Sequence, residues 1–239
     1  MFNLATTYYN GDGVSIDDQQ AYAWVLAAGD AGYPTISEAL SHIQISAPDV
    51  ARAQIKLGLM YASQDLPPNP SATLKWLLEP AKQGNPQAQT GLGAMYLANN
   101  GGRAASPEGL MWCEKAMKKK FSPAFFCMGL AHEKGLATKQ DLKSAAKWYR
   151  KAAELGNGDA MAKLGDMYIQ GEGVPQDDIL AAMWLMLADS CHVPSGSAAL
   201  NVVSARLNDQ QRAKAQKMAL KSRACTLASD TFLGNAQKR

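Results

Sequence analysis

The sequence predicts an all-α solenoid of about five helix-turn-helix repeats with a C-terminal helical cap. Three observations carry that reading. All five tryptophans fall on one lattice: Trp76, Trp112, Trp148 and Trp184 are spaced by 36 residues, and Trp24 precedes Trp76 by that period plus 16. About twenty residues before each tryptophan, a leucine or methionine precedes a small residue, with an aromatic or its substitute four positions on. After Pro194 both patterns stop. A fixed period of this size marks stacked units, each of which buries its apolar face only against its neighbours.

Helix A of each repeat carries the pairs Leu4-Ala5, Leu57-Gly58, Leu92-Gly93, Met128-Gly129 and Leu164-Gly165, with Tyr8, Tyr61, Tyr96, His132 and Tyr168 in the aromatic slot. Offsets 0, +1 and +4 share one helical face, and the small residue admits a neighbouring helix closely. A glycine turn follows, clearest as Gly11-Asp12-Gly13-Val14 and Gly171-Glu172-Gly173-Val174; its positive φ angles stop helix A. Asp17, Asp141 and Asp177 stand at the start of helix B, where a carboxylate meets unpaired N–H groups. The tryptophan, with alanines three before it (Ala21, Ala145, Ala181) and four after it (Ala28, Ala116, Ala152, Ala188), is expected to form the buried face of helix B as a large knob between small holes. Gly32, Gly84 and Gly156 then close the helix.

The repeats are expected at about 1–32, 53–86, 88–121, 124–157 and 160–192, with an insertion at 33–52 in which Thr35–Ile43 reads as an extra helical turn or two. Insertions in such arrays often fall on the face that meets a partner. Two turns depart from the pattern: Gln64–Pro70 in the second repeat and Asn99-Asn100-Gly101-Gly102 in the third. Residues 194–239 form the cap and tail, with helices over Ser197–Leu207 and Asp209–Arg223, the second capped by Asn208 or Asp209. Helix A of the first repeat lacks its opening turn, so that end reads as uncapped: either sequence is missing or something covers it.

The whole pattern, L-G-x-x-Y-x-x-G-x-G-V followed by K-A-x-x-W-Y-x-K-A-A-x-x-G and most complete at Lys143–Gly156, resembles the Sel-1-like repeat, a relative of the tetratricopeptide repeat, over about residues 2–192. The resemblance implies a right-handed α/α superhelix and a non-enzymatic scaffold or adaptor that binds a protein partner on a concave helix-A face. The partner-facing offsets, −1, +2 and +3, select Thr6, Thr7, Lys56, Leu59, Met60, Ala94, Met95, Leu130, Lys163, Asp166 and Met167 as binding residues. Methionines suit an adaptable groove; equally, Met60, Met95 and Met167 could pack between repeats. An immunity or inhibitor protein that neutralises a secreted bacterial toxin is the alternative implied by bacterial relatives, and a hydrolase acting on cell-wall or cysteine-containing substrates is the third reading.

Composition narrows these choices. Hydrophobic residues make up 47% and charged residues 19% of 239 residues, with net charge +3. No apolar run is long enough for a membrane span, and nucleic acid is not expected as a partner. The eight Lys/Arg from Arg206 onward, against Asp209 and Asp230, make the C-terminal end basic, which reads as a solvated terminal helix. Cys113, Cys127, Cys191 and Cys225 form no C-x-x-C pair; they read either as buried free thiols or, for Cys191 and Cys225, as a staple. His132 reads as a packed core residue, and His192 beside Cys191 supplies too few ligands for a metal. With no H-E-x-x-H, phosphate loop or G-x-S-x-G, no catalytic residue, metal or cofactor is expected. Met1-Phe2-Asn3-Leu4 already looks like the middle of a repeat, so a removed leader and a periplasmic location are expected, otherwise a cytoplasmic one, and the protein is expected to be a monomer.

Overall fold

The computed structural model describes residues 1–34, 36–63, 66–67, 69–98 and 105–222. Among them the chain is all-α, with thirteen helices and no strand. Helices A of the five repeats are α1 (Phe2–Asn10), α4 (Ala47–Ser63), α6 (Pro86–Leu97), α8 (Ser122–Lys134) and α10 (Gly158–Gln170). Helices B are α2 (Asp18–Asp30), α5 (Pro70–Lys82), α7 (Pro107–Met117), α9 (Leu142–Glu154) and α11 (Asp178–Ser190). A short α3 (Ile36–His42) stands in the insertion, and α12 (Pro194–Ser204) and α13 (Asp209–Lys221) follow the last repeat. The helices fall into two compact modules, residues 1–95 and the described residues from 96 onward. The turns at Gln64–Pro70 and Asn99–Gly102 lie partly or wholly outside the described residues.

In four of the five repeats, one hydrogen-bonding device joins the end of helix A to the start of helix B. The first residue of helix B, or its N-cap, donates its backbone N–H to the carbonyl of the aromatic-slot residue: Asp17 to Tyr8, Ser106 to Tyr96, Asp141 to His132 and Asp177 to Tyr168, at 2.9–3.0 Å. The slot therefore contributes a backbone acceptor whatever its side chain, which is why His132 substitutes without breaking the turn. The side chains of Asp17, Asp141 and Asp177 accept from N–H groups of the first helical turn, as expected. Helix B ends alike in all five repeats. Gly32, Gly84 and Gly156 adopt positive φ, and so do Lys120 (φ 54°) and His192 (φ 58°) at the same lattice position. These two side chains occupy a glycine's place.

The knob of helix B is not the tryptophan. Ala21, Ala145 and Ala181 are fully buried, but of the tryptophans only Trp112 is buried; Trp24, Trp76, Trp148 and Trp184 remain half-exposed. The residue after each tryptophan does the filling: Val25, Leu77, Cys113, Tyr149 and Leu185 are at most 2% exposed. It presses onto the small residue of helix A. A Cβ at Gly58 would lie 2.5 Å from Leu77, one at Gly165 2.5 Å from Leu185, and one at Gly129 would collide with the Tyr149 ring. Lysines cover tryptophan faces instead: Lys75 over Trp76 at 4.4 Å, Lys115 over Trp112 at 4.2 Å and Lys151 over Trp148 at 4.7 Å.

In the second module, a disulfide joins Cys113 of α7 to Cys127 of α8 inside a cluster with Leu97, Met128 and Ala131. Buried free thiols are thus the wrong expectation for this pair, because the lattice sets the position after Trp112 against helix A one residue before Met128. The Cys191–Cys225 staple lies outside the described residues. The cap buries Val203, Leu207 and Ala215 against Tyr168, Ala181 and Leu185, and Asn208 opens α13 with a reciprocal capping box to Gln211.

Two substitutions separate the constraints just described. Gly129→Ala is expected to destabilise the protein by about 1–3 kcal/mol through overpacking against the buried Tyr149 ring. Lys120→Gly is expected to stabilise it by about 1 kcal/mol through release of a left-handed backbone. Denaturant unfolding of both variants checks the opposite signs.

Candidate functional site

The residues expected to bind a partner are divided between the two modules. In the first, Thr6 is exposed and Thr7 half-buried, and their hydroxyls donate to the carbonyls of Phe2 (3.2 Å) and Asn3 (2.9 Å). They are turned back onto their own helix. Lys56 Nζ stands 3.5 Å from Asp17 Oδ2, a solvent-exposed pair of small energetic value. Leu59 and Ala94 are half-buried, whereas Met60 and Met95 are buried, Met60 in a cluster with Ala23, Ala27, Leu57 and Tyr61. In the second module Leu130 is half-buried and Met167 is buried beside Leu164 and Leu187. For the three methionines, packing within the core is what the structure records. Leu59 and Leu130, both at offset +2, keep apolar surface in water.

Lys163 and Asp166 belong to a charged cluster at the joint between the fourth and fifth repeats. Lys163 Nζ donates to Glu133 Oε1 at 2.8 Å, and Tyr149 Oη donates to Glu133 Oε2. Burial pushes the Glu133 carboxyl up, but the hydrogen bonds from Lys163 and Tyr149 and the Lys163 charge outweigh it and hold it below its ordinary value. Burial, with Glu133 reinforcing it and Lys163 opposing it, holds Asp166 above the ordinary aspartate range. Burial and Glu133 raise the Tyr149 hydroxyl, which stays a neutral donor. Glu133 and Tyr149 escape sequence reasoning because their contacts join residues 16 to 30 positions apart.

The first module has its own charged link. Asp30, at the end of α2, accepts from Lys75 Nζ at 2.6 Å and Trp76 Nε1 at 2.8 Å. The Tyr61 hydroxyl, 3.4 Å from the same carboxylate, is pushed up to about 12 by burial and by Asp30. A cleft of about 530 Å³ opens beside the first glycine turn, lined by Tyr8, Ile16, Asp17 and Gln19 on one side and by Gln44 and Asp49 from the insertion on the other. The Ser46 hydroxyl, with Arg52 and Gln19, holds the Asp49 carboxyl below its ordinary range. As for the histidines, His42 is exposed, His132 is half-buried in the aromatic slot, and His192 closes α11. Among the described residues no helix is long and apolar enough to cross a membrane.

Comparison with known proteins identifies the lattice. The model of the Sel1 repeat matches residues 1–33, 51–85, 86–119, 127–157 and 158–188. Chitin synthase regulatory factor 3 of Schizosaccharomyces pombe is 30% identical over 126 residues, which are 51% of this chain and 14% of that protein. The chain therefore spans a small part of the length of that curated relative. Among solved structures, a protective antigen present in uropathogenic Escherichia coli strains, displaying an SLR fold, is 26% identical with a TM-score of 0.64, over 92% of this chain and 52% of that one. A Sel1 repeat protein from Oxalobacter formigenes is similar in fold, at 24% identity and a TM-score of 0.58, over 92% of this chain and 86% of that one.

The charged cluster sets opposite pH dependences for its two carboxylates. A carboxylate whose folded pKa is raised costs stability at neutral pH, and that cost vanishes below its unfolded value near 3.9. Asp166→Asn is therefore expected to raise the melting temperature at pH 7, by a margin that shrinks towards pH 4. Glu133, lowered in the fold, contributes stability above its unfolded value near 4.3 and loses it as pH falls through the folded value. Glu133→Gln is expected to lower the melting temperature at pH 7 and to matter less in acid. Thermal unfolding followed by circular dichroism across pH 3.5–7 reads both.

Proposed function

The chain belongs to the Sel1 repeat family, whose members are generally protein-interaction scaffolds, and from that premise we propose that it is a non-enzymatic adaptor gripping a protein partner through the outward offsets of its helices A. The observation that carries this reading is the division of labour along each helix A. Offsets 0 and +1 are consumed by packing, as Leu57, Leu92 and Leu164 show by full burial. Offset +2 leaves Leu59 and Leu130 half-buried, so that part of each apolar side chain stays open to a partner although Leu130 also packs against the core of its module. In the first module Lys56 stands at offset −1 beside Leu59, and in the second Lys163 stands at −1 and Asp166 at +2; polar side chains at the margin of an apolar surface suit the orienting of a partner.

The Cys113–Cys127 bond favours an oxidising compartment, and we place the protein in the periplasm or an equivalent space. No particular feature of the two modules favours a toxin over another protein as the partner, so the immunity role remains a special case of the same binding reading.

Affinity capture from the source organism's lysate with the full chain as bait, followed by mass spectrometry, tests the reading. One stoichiometric partner is expected, lost in Leu59→Asp or Leu130→Asp variants whose unfolding curves match the parent. Retention of the partner by both variants moves the surface elsewhere. Turnover of a peptidoglycan or thiol-containing substrate by the purified chain overturns the scaffold reading.

A further inference from the structure

Within the modules, the end of one helix B meets the tryptophan of the next repeat, and the charge at that joint differs between repeats. In the first module an anion closes it. Asp30, six residues after Trp24, accepts from Lys75 Nζ at 2.6 Å and from Trp76 Nε1 at 2.8 Å, with the Tyr61 hydroxyl 3.4 Å away. Between the fourth and fifth repeats an acid again holds the position: Glu154, six residues after Trp148, lines one cleft with Trp184. Between the third and fourth repeats the position is a cation. Lys118, six residues after Trp112 and the C-cap of α7, is exposed.

The surroundings of Lys118 repeat those of Asp30 position for position. Lys147 stands directly before its tryptophan as Lys75 does, Trp148 corresponds to Trp76, and His132 fills the slot of Tyr61. Met117 and Trp148 pack on one cluster, so the end of α7 meets this indole as the end of α2 meets Trp76. Slot side chains reach back to the preceding helix B, Tyr61 to Asp30 and Tyr168 to Arg150, which turns His132 towards α7. The set that surrounds a carboxylate in the first module here surrounds an ammonium group. Among the described residues, the Trp148 indole N–H has no acceptor, the buried His132 Nδ1 has no partner, and Lys118, Lys147 and Lys151 pair with no carboxylate. Lys151 lies over the Trp148 ring at 4.7 Å, held in place without being neutralised. Nearby acids do not restore the balance. Residues 115–151 carry ten Lys/Arg against Glu133 and Asp141. Glu133 is taken by Lys163 and Tyr149, and Asp141 by the first N–H groups of α9. Glu114, one turn before Lys118, is exposed and enters no ion pair among the described residues.

We propose that the joint between the third and fourth repeats is a docking site for a carboxylate from an acidic segment of a partner protein. The carboxylate enters between Lys118 and Lys147 and accepts from the Trp148 indole, taking the place that Asp30 fills in the first module. Asp30 shows that this donor set suits a carboxylate, whose two oxygens accept charge-assisted hydrogen bonds from ammonium and indole together. The choice of a protein as its source rests on the protein-binding reading above. The site lies on the flank of helices B, apart from the outward offsets of helices A, so Leu59 takes no part in it.

The probe is a fluorophore-labelled hexaglutamate peptide, titrated into the purified chain and followed by anisotropy. Saturable one-to-one binding is expected, weakened by raised salt. Lys118→Asp supplies the joint with the carboxylate that the first module already has. It is expected to weaken peptide binding at least about tenfold, equivalent to 1.4 kcal/mol, with a melting temperature at or above the parent's. Lys147→Asp is expected to weaken binding by a similar factor. Lys214→Asp on α13 changes the net charge equally and is expected to leave binding nearly unchanged. Leu59→Asp is expected to bind the peptide like the parent, so that failure here and failure of the helix-A reading are told apart. Lys118, Lys147 and Lys214 are exposed, and unchanged circular dichroism in the variants confirms that the fold survives. Absence of saturable peptide binding overturns the proposal, as does an equal loss in Lys214→Asp, which marks general charge attraction. Binding of phosphatidylglycerol vesicles or inorganic phosphate in preference to the peptide also overturns it. So does sedimentation showing a dimer of the parent that Lys118→Asp dissociates, since a second copy is then the occupant.

Discussion

The close approach of helices A and B within a repeat is the constraint on which the rest of the structure depends. Gly58, Gly129 and Gly165 leave no room for even a methyl group against Leu77, Tyr149 and Leu185. Interiors are packed to crystal-like density, so this one contact fixes the distance between the two helices of a repeat. Once it is fixed, the alanines before and after the tryptophan have no alternative to burial, and the turn must span a set gap. The hydrogen bond from the start of helix B to the aromatic-slot carbonyl, repeated at Tyr8, Tyr96, His132 and Tyr168, follows from that geometry.

This also explains why the tryptophans stand half-exposed. With the next residue filling the space between the helices, each indole is displaced to the flank of helix B. There it meets helix A of its own repeat, reaches the preceding repeat or collects a lysine: Trp148 meets Phe125 at 6.3 Å, and Trp76 donates to Asp30. The charged groups linking successive repeats, Asp30 in one module and Glu133 in the other, supply register on top of apolar packing. A half-buried carboxylate whose donors come from different helices also fixes how those helices are oriented. Hydrogen bonds to Glu133 from α9 and α10 hold three helices at one angle.

A structure that consumes its repeating lattice in packing has function only in what is left over. What is left over lies on the outward offsets of helices A, where Leu59 and Leu130 keep part of their apolar surface in water, and it follows from the repeat geometry.

By itself the sequence determined the all-helical class, the helix-turn-helix period, the aspartate caps and the helical C-terminal cap, because each is a local property. Period, N-cap chemistry and glycine turns act over at most one repeat and are written in consecutive residues. The tertiary structure decided everything that depends on which residues of different helices, a dozen or more positions apart, come together. It placed the residue after each tryptophan in the core and the tryptophan beside it, joined Cys113 to Cys127, and buried Met60, Met95 and Met167 while leaving Leu59 and Leu130 at the surface. It showed that Lys120 and His192 hold a backbone conformation that the sequence marks with glycine elsewhere. The physical reason is the same throughout. A helical face spans about 100°, so neighbouring offsets such as +2 and +3 differ by one side-chain direction, and only the rotation of the helix against its neighbours settles which of the two is covered.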